Sequence, residues 1–218
     1  MNKEWSELNK IMQAQIKKKD TYKLGVDTLL DLRGQLMQTL VSFKEALSRE
    51  DFNSIPFINA DGYHSKTIAY SIWHIFRIED IVSHTVINGD EQIFFSGNYQ
   101  ERINSPIITT GNELIRQQIA DFSKQLNLEE LYSYIFEVKE STEKIITSLS
   151  YDELKKKISE ERKEYLKSLN VVSDDENAIW LIDYWCGKDI RGLIQMPFSR
   201  HWIMHTEACL RIKNKIHS

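Results

Sequence analysis

This chain has few of the residues that interrupt or cross-link a fold. Its two cysteines, Cys186 and Cys209, are too few for a disulfide framework and fit a reducing compartment. Only 3 prolines and 8 glycines occur in 218 residues, which favours long uninterrupted helices. No segment approaches the ~20 apolar residues of a membrane helix, and the charged N-terminus lacks the apolar core of a signal peptide. We therefore expect a cytoplasmic protein without a membrane partner.

The chain also has no excess of basic residues over acidic ones. The formal net charge is -4, which argues against broad binding to nucleic acid because such binding needs a basic face. The lysine runs at 17–19 and 155–157 stand among acidic residues and are interpreted as solvated helix faces. The length and the 41% hydrophobic content suit one globular domain over residues 1–218 with a sizeable core.

The dominant pattern is helical periodicity. Apolar side chains recur at three- and four-residue steps, without lasting strand-like alternation. We predict an all-α bundle, with additional helices in the N-terminal region 1–19 and in the insertion 91–127. The predicted core helices cover about residues 21–47, 65–88, 128–169 and 197–215.

Local signals set the expected helix ends. Ser65 or Thr67 is expected to cap the second core helix, and Gly89 to end it. Thr110 or Asn112 is expected to open a helix in the insertion. Pro197 suits the first turn of the last helix.

Two histidines on the last predicted helix, His201 and His205, are the most informative residues. Positions i and i+4 share one helix face, so both imidazoles can hold one metal ion if a third ligand comes from another helix. His74, midway along the second core helix, is the candidate third ligand. Three protein ligands with one open position are typical of catalytic zinc sites. The alternative is that these histidines are ordinary hydrogen-bonded core residues, as Trp73 and Trp202 are expected to be.

Other candidates are excluded by spacing. Trp202 follows His201 where a His-Glu-x-x-His metalloprotease needs its glutamate. His64 and His84 lie ten residues before and after His74. Ten residues of helix span about 15 Å, so His84 cannot bind the same ion as His74, and His64 is equally distant in sequence. Cys209 cannot join both histidines on one ion, and we interpret it as a buried structural thiol.

The motifs around these histidines resemble those of the DinB-like (DinB/YfiT) superfamily. They are a mid-helix Trp-His-Ile, then Arg-Ile-Glu-Asp and a Gly-Asp-Glu end, with a C-terminal His-x-x-x-His helix. Residues 65–92 and 197–213 match best. The resemblance implies a four-helix bundle that holds a divalent metal through three histidines, here His74, His201 and His205.

The resemblance also implies a range of functions. Members include transferases and isomerases that use low-molecular-weight thiols, so we expect a metal-dependent thiol S-transferase or a hydrolase with a small-molecule substrate. The metal is expected to be Zn, Ni, Mn or Fe. Tyr70 and Arg77 are expected to approach the pocket. Glu79 and Asp80 are expected to form surface pairs, or hydrogen bonds behind the ligands.

A non-catalytic function is the alternative. The chain would then be a metal-stabilised helical bundle that acts as a dimeric interaction or stress-response protein. The aromatic segment 179–185 is the expected contact between the two subunits of a homodimer.

Overall fold

The computed structural model describes residues 2–218, which are mostly helical and contain no strand. The all-α prediction is therefore confirmed for this part of the chain. None of its helices is both long and apolar enough to cross a membrane. In chain order the helices are α1 (Lys3–Gln15), α2 (Tyr22–Ala46), α3 (Arg49–Asn53), α4 (Ile68–Asp80), α5 (Ile93–Ser96), α6 (Tyr99–Ile103), α7 (Gln117–Gln125), α8 (Leu128–Ser148), α9 (Glu160–Ser168), α10 (Trp180–Cys186), α11 (Ile190–Gln195) and α12 (His201–Ile216).

Four long helical segments pack around one another. Helix α4 continues through a π-helical stretch, Ile81–Asn88, and α12 is preceded by another, Met196–Arg200. Helix α4 contacts α8 and α12, and α2 contacts the same two helices, so the four form a closed cycle. Three of them correspond to the predicted ranges 21–47, 65–88 and 197–215.

The fourth predicted range, 128–169, is not one helix. Ser150 and Glu153 exchange capping hydrogen bonds, as their spacing predicts, but only a short 3-10 turn follows them. The chain then runs extended, and the Lys156 carbonyl accepts a hydrogen bond from the Ile190 amide. This pairing with the start of α11 keeps the backbone out of the helix until α9 begins.

Helix α4 is buried on every side, because all of its residues lie in the core. Thr67 caps it, as predicted, since its hydroxyl oxygen accepts a hydrogen bond from the Tyr70 amide at 3.0 Å. Gly89 ends the π-helical continuation with φ of 81°, a left-handed conformation that favours glycine. These two ends fix the position of His74 between them.

We expect Thr67→Val to lower the free energy of unfolding by about 1–2 kcal/mol, because it leaves the buried Tyr70 amide without an acceptor. The loss would be measured by urea denaturation. Thr67→Ser retains the hydroxyl and is the control. Equal stability of the valine and serine variants would contradict this role.

The predicted helix opening at Thr110 or Asn112 is wrong, because α7 begins only at Gln117. Residues 104–116 form a loop instead, and the carbonyls of Ile108, Thr110 and Gly111 in it accept hydrogen bonds from side chains of α4.

Two apolar clusters make up the core. One contains Trp73 and Trp202, both fully buried as predicted, and the other contains Trp185 and Phe198. His74 and His205 lie between the two clusters, since they line one cavity together with residues of the first cluster and a second cavity together with residues of the other. The fold thus places polar imidazoles in an interior that is otherwise apolar.

Candidate metal centre

The three predicted histidines meet in the structure. His74 comes from α4, and His201 and His205 come from one face of α12. Their ring centroids are 5.1, 4.9 and 4.5 Å apart, and one candidate ligand atom from each lies within 4.8 Å of the others. Ligand nitrogens on a tetrahedral ion with ~2.1 Å bonds are about 3.4 Å apart, so small ring movements suffice for coordination.

A backbone carbonyl fixes the orientation of His74. Its Nδ1 lies 2.7 Å from the Thr110 carbonyl oxygen, which only accepts, so Nδ1 carries the proton. The other ring nitrogen, Nε2, therefore keeps a free lone pair. An imidazole held in this way by its second nitrogen is typical of metal-ligating histidines.

His74 belongs to a stripe on α4 that holds the loop. Tyr70, His74 and Arg77, at positions i, i+4 and i+7, donate to the carbonyls of Gly111, Thr110 and Ile108 respectively. The prediction for Tyr70 is confirmed, since its ring stacks on His74 at 5.3 Å and lines the adjoining cavity. Arg77 points to the loop and to Gln92 instead.

Gly111 is required in this loop for two reasons. Its φ is 74°, and a Cβ there would lie 2.8 Å from Cζ3 of Trp73 and 3.1 Å from the Tyr70 ring. A larger residue would push the loop away from α4, and with it the carbonyl that orients His74.

The three rings are suited to binding a cation. Burial lowers the pKa of His201 to about 4, and burial together with the neighbouring His201 holds those of His74 and His205 well below the usual range. All three are therefore neutral at pH 7, the form that binds metals. The Nδ1 atoms of His201 and His205 are buried without a hydrogen-bond partner in the described residues. Leaving such atoms unpaired is costly, and coordination to an ion is one way of pairing them.

Two cavities adjoin the cluster. A larger one of about 650 Å³ is lined by His74 and His205, and a smaller one of about 260 Å³ by all three histidines. The larger has the size of small-molecule sites, which are typically ~300–1,000 Å³. A ligand can therefore approach the imidazoles from outside.

The other sequence candidates lie elsewhere. His84 is buried, and its ring nitrogens are bonded to Asp90 and Ser141. His64 contacts Tyr63 and Arg211. Cys209 is fully buried, as predicted, and burial raises the pKa of its thiol to about 12.

Of the two alternatives predicted for Glu79 and Asp80, surface pairs are wrong because both residues are fully buried, and the hydrogen bonds that they accept do not come from the three histidines. Glu79 accepts from Arg33 at 2.8 and 2.9 Å and from Trp202 Nε1 at 2.7 Å. Asp80 accepts from backbone amides of α5 and from the Tyr134 hydroxyl at 2.9 Å. Glu79 thus fixes Trp202, which lies between the two histidines of α12 in sequence, without bonding to either histidine.

Several residues of the site carry no signal in the sequence. Thr110 acts through its carbonyl, which any residue would offer, and Lys66 and Asn112 reach the larger cavity from loops.

The aromatic segment 179–185 packs against the core with only some of its side chains. Ile179 and Trp180 are exposed, whereas Leu181, Ile182 and Trp185 are buried.

A scan against protein-family models and a search of the curated proteins return no match for this chain.

Proposed function

We propose that this chain is a DinB-like four-helix bundle that holds a divalent metal ion through His74, His201 and His205 and acts on a small molecule beside it. The observation that carries the proposal is the cluster of three neutral, buried imidazoles from two helices at the wall of an open cavity. A protein that needed the ion only for stability would have no use for such a space.

The donor set narrows the candidate metals. Imidazole nitrogens suit Zn, Ni and Fe, whereas Mn prefers oxygen ligands. Because the three ligands are neutral, the full charge of the ion remains in the site. Such an ion, when bound, acts as a Lewis acid that lowers the pKa of a coordinated thiol or water.

The chain's own residues would orient His74 and line the space through which a substrate approaches the metal. The Thr110 carbonyl keeps His74 in one tautomer, and the Tyr70 ring covers one side of it. Lys66 and Tyr63 line the approach from the larger cavity. We propose a thiol S-transferase that uses a low-molecular-weight thiol, with hydrolysis as the second candidate reaction, because a thiolate is stabilised by the positive charge of such a site.

We expect purified protein to hold about one divalent ion per chain, and His201→Ala to keep less than about a tenth of that after desalting, because two histidines rarely retain an ion that three hold. Metal content would be measured by mass spectrometry after growth with Zn, Ni, Mn and Fe. Circular dichroism would check that the variant is folded.

The control is His217→Ala, which removes an exposed histidine just beyond α12. It should retain the full metal content. Equal metal in wild type and His201→Ala, or no metal in the wild type with any of the four ions, would overturn the proposal.

A further inference from the structure

The two cavities beside the histidines differ in chemistry. They share His74, Asn112 and His205, so they adjoin at the histidine cluster. The larger is lined mainly by polar and charged residues of the loops before α4 and α7. The smaller is lined mainly by apolar and aromatic residues of α10 and of the continuous segment formed by the π-helical stretch Met196–Arg200 and α12. A molecule reaching the cluster from both sides would therefore need two unlike ends.

Lys66 gives the larger cavity a positive charge without a counter-ion. The side chain is half-buried, and its Nζ lies 4.9 Å from the centroid of the Tyr70 ring, which itself stacks on His74. Among residues 2–218 no carboxylate forms an ion pair with this amine, although Asp61 lines the same cavity. Arg116 at the rim adds a second positive charge. A half-buried ammonium group lacking a partner is best satisfied by an anionic ligand.

The smaller cavity offers an apolar surface instead. The rings of Trp180 and Tyr184 meet edge to face at 5.5 Å, and Met196 and Met204 line the same cavity. Trp180 remains 49% exposed, which is unusual for a tryptophan in contact with a core. A planar apolar group bound here would bury part of that ring.

Asn112 stands where the two cavities meet. Its Oδ1 is buried and has no hydrogen-bond partner in the described part of the chain. A ligand that spans both cavities and carries a hydrogen-bond donor near its centre would satisfy this oxygen.

We propose that the substrate is an amphipathic carboxylic acid, with its carboxylate at Lys66, its apolar or aromatic group against Trp180, and its reacting group at the histidine cluster. The assignment of a reacting group rests on the function proposed above, whereas the two end contacts rest on the cavities themselves.

Three thiols test this on the cobalt-loaded protein: 2-benzyl-3-sulfanylpropanoate, its primary amide, and 3-sulfanylpropanoate, which lacks the benzyl group. Binding is followed by the cobalt–thiolate absorption and by tryptophan fluorescence. We expect the benzyl acid to bind about tenfold more tightly than either of the other probes, because each lacks one end contact.

Two variants separate the contacts. Lys66→Met should bring the ratio of acid to amide affinities to about one and leave the preference for the benzyl group unchanged. Trp180→Ala should remove the preference for the benzyl group and leave the ratio of acid to amide affinities unchanged. Lys23→Met, which removes an exposed lysine on α2, is the charge control and should change neither ratio. Circular dichroism and cobalt content confirm that each variant is folded and loaded.

The outcomes are distinct. An acid-to-amide preference that survives Lys66→Met would place the carboxylate elsewhere, for example on the metal, and would overturn the proposal. Cobalt uptake with equal affinities for all three probes would also overturn it while leaving the metal site intact. Failure to take up cobalt would overturn the proposed function and, with it, the position of the reacting group.

Discussion

Glu79→Ala is expected to lower the free energy of unfolding by about 3–5 kcal/mol, because removing one partner of a buried ion pair leaves an uncompensated charge. Glu79 and Arg33 are both fully buried, and their side chains form two hydrogen bonds of 2.8 and 2.9 Å. The Trp202 Nε1–H would lose its acceptor as well. The loss would be measured by urea denaturation at pH 7.

Glu143 provides a matched control, since it binds the same arginine at 3.0 Å but its side chain is 21% exposed. We expect Glu143→Ala to cost about 1 kcal/mol, because water can replace a partly exposed carboxylate. Equal losses in the two variants would show that burial does not decide the effect.

A double variant distinguishes the charge from the contact. Arg33→Met combined with Glu79→Leu removes both charges and keeps the volume, so it should be more stable than Glu79→Ala alone. If the double variant were less stable, the ion pair itself would be a net source of stability. The metal content of each variant would show whether α12 still presents its two histidines correctly after Trp202 loses its hydrogen bond to Glu79.

The spacing of His201 and His205 predicts from local geometry that both lie on one helix face, whereas the third ligand, His74, is also indicated by the family resemblance of the surrounding motifs. Positions 201 and 205 share a face in any α-helix, and the apolar neighbours of His74 predict that it faces the core. The same reasoning places Trp73 and Trp202 in the interior. Such properties follow from helix periodicity and need no knowledge of how the helices pack.

What the sequence did not predict depends on contacts between distant residues. The burial of Glu79 follows from Arg33, 46 residues earlier, and a charged residue is normally expected at the surface. The loop at Thr110 is held by α4 side chains 31–41 residues away. The extended segment at Lys156 pairs with the start of α11, which no local signal indicates. Long-range pairing of polar groups, not local preference, decides each of these.

The proposed site combines both kinds of information. Spacing brings two imidazoles to one face of α12, but the Thr110 carbonyl decides which nitrogen of His74 is free. Lys66, which lines the adjoining cavity, carries the proposed contact with the substrate. The metal proposal therefore depends on the helices, and the substrate proposal depends on the loops. Variants in Lys66 and His201 test the two separately.

Burying three neutral histidines should make the metal-free protein sensitive to acid. The pKa of His201 falls from 6.5 to about 4 in the folded state because the ring is buried. As the pH falls, the unfolded chain takes up this proton first, so the stability present above pH 6.5 is lost progressively down to about pH 4. His201 alone accounts for about 3 kcal/mol over that window, at about 1.4 kcal/mol per pKa unit. The lowered pKa values of His74 and His205 add to the loss.

Urea denaturation of chelator-treated protein between pH 7.5 and pH 4 would measure this effect. Carboxylates titrate in the same range, so the informative quantity is the difference between wild type and His201→Gln, which lacks the proton-binding group. We expect the stability of His201→Gln to fall less steeply below pH 6.5, and that of His217→Ala to follow the wild type. Parallel curves for wild type and His201→Gln would mean that His201 is not held neutral by the fold. A bound divalent ion competes with protons for the same nitrogens, so its addition should shift the loss of stability to lower pH in the wild type and not in His201→Gln.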